Sequence, residues 1–208
     1  MVRQKKIEIQ GYAVTLLISA LAIIIYCFPG LSGLFIYDRQ AILSGELWRL
    51  FTAPFVHFSG SHIFWNVLVF SVAGFAVSAA KFPCFWIVCG LSISLPGHVF
   101  LLTMPDMACY GGFSGPATGA AAYFCLCSLF RTGREKGIWA LILFIMIIKI
   151  FIESALGESI FAQAEEVPFR VIPGAHIAGY LVAIATVLWA RPYLVLQEQI
   201  LDSLRSAG

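Results

Sequence analysis

Six apolar runs, each about long enough to cross a bilayer, recur along the whole chain. A membrane-spanning helix needs about 20 predominantly apolar residues. Of the 208 residues, 60% are hydrophobic and only 12% are charged, a composition that soluble domains of this size do not have. We therefore expect an all-α polytopic membrane protein that forms a single domain over residues 1–208. The predicted spans cover residues of about 12–28, 62–79, 82–102, 114–130, 137–156 and 174–190.

The distribution of basic residues predicts the orientation of these spans. Lys and Arg concentrate in cytoplasmic segments of membrane proteins. With a cytoplasmic N-terminus, nine of the thirteen basic residues fall on the cytoplasmic side, so both termini are predicted to be cytoplasmic. The net charge of +2 gives no reason to expect a nucleic acid as partner. The nine residues are Arg3, Lys5, Lys6, Lys81, Arg131, Arg134, Lys136, Arg191 and Arg205.

The longest connection, residues 29–61, contains many apolar side chains and few charges. An apolar loop of this length should not extend into water. We expect it to lie in the membrane interface or to pack on the helices.

Polar residues stand at the beginning of the second, fourth and sixth spans. His62 and Asn66 open the second span, Ser114 the fourth and His176 the sixth. At 1.5 Å per residue, the distances to the basic residues at the far ends are roughly 28, 25 and 22 Å. The four side chains are therefore predicted to lie at similar depth, towards the outer face. Polar residues inside spans are costly and often functional, which makes Ser114 a candidate nucleophile and His176 a candidate base.

Small residues around these sites predict close contact between the fourth and sixth spans. Gly115 and Gly119 form a small-xxx-small stripe, and a second one begins at Ala175 and Gly179. Such stripes let helix backbones approach closely, which should bring His176 within hydrogen-bond reach of Ser114. Gly112 and Gly115 should also leave room for a substrate chain beside the serine.

Other polar residues allow more than one interpretation. His62 and Asn66 share a helix face and are either a structural pair or hydrogen-bond donors to an oxyanion. Lys149 and Glu153, four apart, indicate a neutralising pair or, with less support, a proton path. His57 is interpreted as structural, and His98 as structural or interfacial. No histidine has Cys, Asp or Glu partners at metal-ligand spacing, so no metal or other cofactor is predicted, and the six cysteines are expected to be unpaired.

In their order and spacing, these motifs resemble the rhomboid family of intramembrane serine proteases. The resemblance implies a six-helix rhomboid-like bundle with a Ser114–His176 dyad, no acidic third member and no cofactor. It also implies an oxyanion hole of His62, Asn66 and the Ser114 backbone N–H, and transmembrane proteins as substrates. The motifs are Trp48-Arg49, His57, His62-x-x-x-Asn66, Gly111-Gly112-x-Ser114-Gly115 and Ala175-His176-x-x-Gly179.

Two positions depart from the common rhomboid pattern. Thr118 stands where many rhomboids have a tyrosine that stacks on the catalytic histidine, and Ala53 stands where some have a histidine. We therefore expect a different support for His176, with the Thr118 hydroxyl as the candidate. The minimal six-helix form is similar to bacterial rhombosortases. That similarity implies a location in the bacterial inner membrane and processing of C-terminal, glycine-rich, single-span sorting signals.

Two other classes of function fit less well. A non-proteolytic rhomboid-like protein that binds membrane helices typically lacks the serine or the histidine, and both are present here. A transporter or channel should have polar residues along a path through the membrane, whereas these cluster at one depth.

Overall fold

The computed structural model describes residues 2–131, 134–157 and 172–206, and these form an all-α polytopic membrane fold. The β structure within these ranges is one short antiparallel pair of strands, each two residues long. Short helices fill the connection between the first two long ones. The helices are α1 (Val2–Cys27), α2 (Pro29–Phe35), α3 (Arg39–Leu43), α4 (Arg49–Thr52), α5 (Gly60–Ala79), α6 (Phe85–Thr103), α7 (Ser114–Ser128), α8 (Lys136–Leu156) and α9 (Pro173–Ser206); a 3₁₀ turn covers Ala53–Phe55 and the strands are β1 (Tyr37–Asp38) and β2 (Cys109–Tyr110).

Five of these helices, α1, α5, α6, α8 and α9, are long and apolar enough to cross a membrane. The fourth predicted span, residues 114–130, corresponds to α7, which has only 15 residues and is roughly 22 Å long. Eleven of those 15 residues are buried, whereas α8 buries only Leu143 and Glu153 among its 21. The short α7 is therefore the central helix of the bundle, and α8 lies at its periphery.

The first and last helices of the chain are longer than the predicted spans of residues 12–28 and 174–190. The first begins at Val2, and α9 continues to Ser206 with Pro192 inside it. A proline usually interrupts a helix because it lacks an N–H. Here packing supports the continuation, since Leu194 is buried and the Gln197 side-chain amide lies 3.5 Å from the carbonyl oxygens of Ala80 and Lys81.

The connection between α1 and α5 packs on the helices, as expected from its apolar composition. Leu50, Ala53 and Phe55 are buried. The buried Arg49 guanidinium donates to the carbonyls of Gly33 at 2.9 Å and Ile36 at 2.8 Å. These bonds fold the connection back on itself, and Leu50 packs it against Phe100 of α6.

The β1–β2 pair joins this connection to the segment that leads into α7. Tyr37 faces Tyr110 and Asp38 faces Cys109 in antiparallel register. Tyr37 is fully buried, and the Tyr110 ring meets Phe100 of α6 edge-on. The pairing therefore fixes the chain immediately before residues 111–114.

Helices α7 and α9 are in backbone contact through their small residues, as the sequence predicts. A Cβ added to Gly115 would lie 3.0 Å from the carbonyl oxygen of Ala175, and one added to Gly119 would lie 3.3 Å from that of Gly179. These contacts are tighter than ordinary van der Waals packing. They place the first turns of α7 and α9 side by side.

The six cysteines are free thiols, as expected.

Candidate active site

Ser114 is the first residue of α7 and is partly exposed. The preceding Phe113 is fully buried and packs between Phe70 and Phe55, with ring centroids 4.7 and 5.9 Å away. Gly112 has φ +133°, a conformation that only glycine adopts without strain. The turn thus buries residue 113 and leaves the serine at the open end of the helix, where the first N–H groups have no partner within the helix.

The turn before Ser114 is held from both sides. The Gly112 N–H donates to the carbonyl of Ala53 at 3.3 Å, and the Tyr110 hydroxyl donates to the Gly112 carbonyl at 3.0 Å. Burial raises the pKa of Tyr110, so its hydroxyl stays protonated and available as that donor. Ala53, where some rhomboids have a histidine, therefore contributes its backbone carbonyl to the site.

His62 lies against this turn from α5. The Ser59 hydroxyl caps α5 by accepting from the His62 N–H at 3.1 Å, which fixes the first turn of the helix. A Cβ on Gly112 would lie 3.1 Å from Nε2 of His62. The imidazole edge thus faces the backbone two residues before Ser114, and a side chain at position 112 would displace it.

Asn66 lies one turn further along α5. Its amide nitrogen Nδ2 is buried and has no hydrogen-bond partner among the residues that the structure describes. A buried donor without an acceptor is costly, and such a group is suited to meet charge that develops during a reaction.

His176 stands in the first turn of α9 and is 6% exposed. Its Nδ1 lies 3.0 Å from the Thr118 hydroxyl on α7, which confirms the predicted support from Thr118. The predicted contact with Ser114 is not made: no hydrogen bond joins Ser114 and His176 in the described structure. The reason is that Nδ1 bonds the hydroxyl one turn further along α7, while Nε2 lies 3.6 Å from the Glu153 carboxylate.

Lys149 and Glu153 form the predicted pair on α8, with Nζ 2.6 Å from Oε2. Sequence reasoning missed that the same carboxylate reaches His176. The signal available was a carboxylate inside the most apolar part of the chain, in the helix before the histidine.

Gly115, predicted to border the substrate, faces α9 instead of open space, as its contact with Ala175 shows. Packing is therefore its observed role, and contact with a substrate backbone remains a prediction.

The remaining histidines have local partners, in keeping with their structural interpretation. His57 Nδ1 lies 3.1 Å from the Phe55 carbonyl, and His98 Nδ1 lies 2.7 Å from the Ser94 carbonyl of its own helix. Burial, and secondly the neighbouring His62, lower the pKa of His57 to about 3, so its imidazole is neutral at pH 7. Among the described residues, no three His, Cys, Asp or Glu side chains are grouped as metal ligands.

The protein is a helical membrane bundle in which a serine and a histidine lie on its two closest helices. This arrangement defines its class. A model of the rhomboid domain matches residues 44–192, which is most of the chain. The chain therefore belongs to the rhomboid family, whose members are serine intramembrane proteases. The matched region runs from the connection before α5 to the middle of α9 and contains every candidate site residue. No curated protein matches the chain.

Proposed function

We propose that this protein is an intramembrane serine endopeptidase that cleaves single-span membrane proteins near the outer membrane face. Ser114 is the nucleophile and His176 the base. One observation carries the proposal: within a rhomboid domain, Ser114 opens the central helix α7 directly beside the turn of α9 that holds His176.

In this reaction the Ser114 hydroxyl attacks the scissile carbonyl, and its proton passes to His176. His176 then returns a proton to the leaving amine, and water hydrolyses the acyl-enzyme. The imidazole must turn from Thr118 towards Ser114 for the first step. Catalytic hydrogen bonds often form only when substrate is bound.

The negative oxygen of the tetrahedral intermediate is stabilised by His62, Asn66 and the Ser114 backbone N–H. The Nδ2 of Asn66, which has no hydrogen-bond partner within the described part of the chain, supports this role. The absence of a Cβ at Gly112 keeps His62 next to the turn. Gly115 is the second glycine proposed to border the substrate backbone.

The proposed lateral route for a substrate helix runs beside α8. An apolar cavity of about 320 Å³ lies between α5, α7 and α8, lined by residues that include Val72, Cys125 and Trp139. Water reaches the site from the nearby outer surface.

The location and the substrate class are further parts of the proposal. The distribution of Lys and Arg supports a multi-pass protein with both termini in the cytoplasm, and we place it in a bacterial inner membrane. Likeness to rhombosortases supports C-terminal, glycine-rich, single-span sorting signals as substrates.

The test is cleavage of a single-span reporter with a glycine-rich segment at its outer end, reconstituted with the protein in liposomes. Wild type should cut within or beside that segment, whereas Ser114→Ala should leave the reporter intact. Ser128→Ala is the matched control, because its hydroxyl bonds the Phe124 carbonyl of the same helix, remote from the site. Cleavage by Ser114→Ala would contradict the proposal.

The second candidate is a non-proteolytic protein that binds membrane helices. The hydrogen bond of His176 Nδ1 with Thr118, a residue outside the proposed dyad, favours it. Capture of the intact reporter by folded wild-type protein, without cleavage, would support this alternative.

A further inference from the structure

The Glu153 carboxylate is an ionisable group buried inside the bundle, and the proposed reaction gives it no role. Its side chain is fully buried on α8, a helix that buries only one other residue, Leu143. Oε2 lies 2.6 Å from Nζ of Lys149 and 3.6 Å from Nε2 of His176. One carboxylate oxygen therefore faces both a permanent cation and the proposed catalytic base.

Each ring nitrogen of His176 lies near a polar side chain. Thr118 of α7 contacts Nδ1, and Glu153 of α8 faces Nε2. A carboxylate near Nε2 favours the tautomer whose proton is on Nε2, and Nδ1 then accepts from the Thr118 hydroxyl. Groups on two different helices thus determine how the ring of a third is oriented.

A purely structural pair is an expensive way to attach α8 to the bundle. Burying two charges costs desolvation energy that their attraction often does not repay, and apolar residues of similar size stabilise as well or better. Ionisable residues inside spans are therefore candidates for function. Proximity to the proposed base makes the function of this pair specific.

We propose that Glu153 is a positioning residue that orients His176 and stabilises its protonated form, with Lys149 holding the Glu153 carboxylate in place. The inference rests on the proposed function. When Ser114 attacks, its O–H bond breaks and the proton goes to the imidazole, which becomes a cation facing Glu153. Glu153 and Lys149 neither gain nor lose a proton. The site then has an acidic third member, which the resemblance to rhomboids did not imply.

The rate at which a serine-directed fluorophosphonate inactivates the purified protein in detergent tests this role. The variants are Glu153→Gln, Glu153→Asp, Lys149→Met and the double variant Lys149→Met/Glu153→Gln. Glu8→Gln is the matched control, because Glu8 forms a second glutamate–lysine pair, with Lys81 at 3.5 Å, away from His176. Thermal unfolding is measured for each.

Glu153→Gln should lower the limiting labelling rate by about tenfold or more without weakening the apparent affinity for the probe, because charge stabilisation acts in the transition state. Glu153→Asp should recover part of the rate. The double variant should unfold near the wild-type temperature, since no charge is left unpaired, and still label slowly. Glu8→Gln should label at the wild-type rate.

Two results would overturn the positioning role. One is a wild-type labelling rate in Glu153→Gln. The other is a double variant that regains both the stability and the rate, which is what a structural ion pair predicts. Failure of the proposed function has a different signature: wild type that is folded and unlabelled, or labelling that persists in Ser114→Ala.

Discussion

Three imidazoles lie near the first turn of α7, and their surroundings differ. His176 has a hydroxyl and a carboxylate beside it, and His62 faces the glycine turn before Ser114. His57 is 5% exposed and has a backbone carbonyl as partner, and its ring centroid lies 5.0 Å from that of His62. His57 therefore supports the oxyanion side of the site as a neutral side chain.

Protonation of His57 should destabilise the fold. The folded state keeps this imidazole neutral down to pH of about 3, whereas an unfolded chain protonates it below about pH 6.5. Its contribution to stability is therefore complete above pH 6.5 and is lost as the pH falls from about 6.5 towards 3, by at most about 1.4 kcal/mol per pH unit. Thermal unfolding in detergent between pH 7.5 and 4.5 measures this effect.

The matched variant is His57→Asn, which keeps a donor for the Phe55 carbonyl and cannot titrate. It should show a weaker loss of stability with falling pH than wild type. Equal pH dependence in the two proteins would refute the assignment.

The sequence was sufficient to select most of the candidate site residues, because Ser114, His176, His62 and Asn66 interrupt apolar runs where polar groups are costly. It also predicted the Thr118 contact. It also predicted a hydrogen bond between His176 and Ser114, and it could not choose between the two hydroxyls because they are one turn apart on the same helix. Packing of side chains, including Glu153 from α8, decides between them.

At the scale of elements, the apolar runs predicted all the long helices but misjudged several ends. Helix α7 ends early and α9 ends late because tertiary contacts, such as that of Gln197 with the turn after α5, decide where a helix stops. The short helices α2 to α4 lie in the connection of residues 29–61, where the sequence predicts no span. They depend on contacts across the connection, such as the hydrogen bonds of Arg49.

The contact between α7 and α9 yields a test at this scale. A Cβ at Gly179 would collide with the Gly115 carbonyl, so Gly179→Ala should separate the helices and destabilise the protein by about 1–3 kcal/mol. Gly90 of α6 has open space around it, and Gly90→Ala should stabilise by about 0.5–1 kcal/mol through helix propensity.

Thermal unfolding of the two variants in the same detergent provides the comparison. Opposite shifts are expected, with a lower midpoint for Gly179→Ala. Similar shifts for both would show that the helices are not as close as described.

At the scale of the whole molecule, the apolar runs predict a multi-pass helical protein, and the fold agrees. The match to the rhomboid domain covers residues 44–192 and begins after α1, which packs beside α5. The sequence could not show that one spanning helix, α8, buries only two of its residues while α7 is enclosed. That difference depends on how six helices share a core, and it matters for the proposed entry of substrate.

The central claim is that this bundle activates Ser114 through His176. The most direct measurement is peptide mass spectrometry of the folded protein after reaction with a fluorophosphonate, in detergent and again in bilayers. The account predicts one phosphonyl adduct on Ser114 in wild type, none in Ser114→Ala, and labelling slowed by at least about 10³-fold in His176→Ala. Folded wild type without an adduct in both environments, or an adduct on another serine, would contradict it.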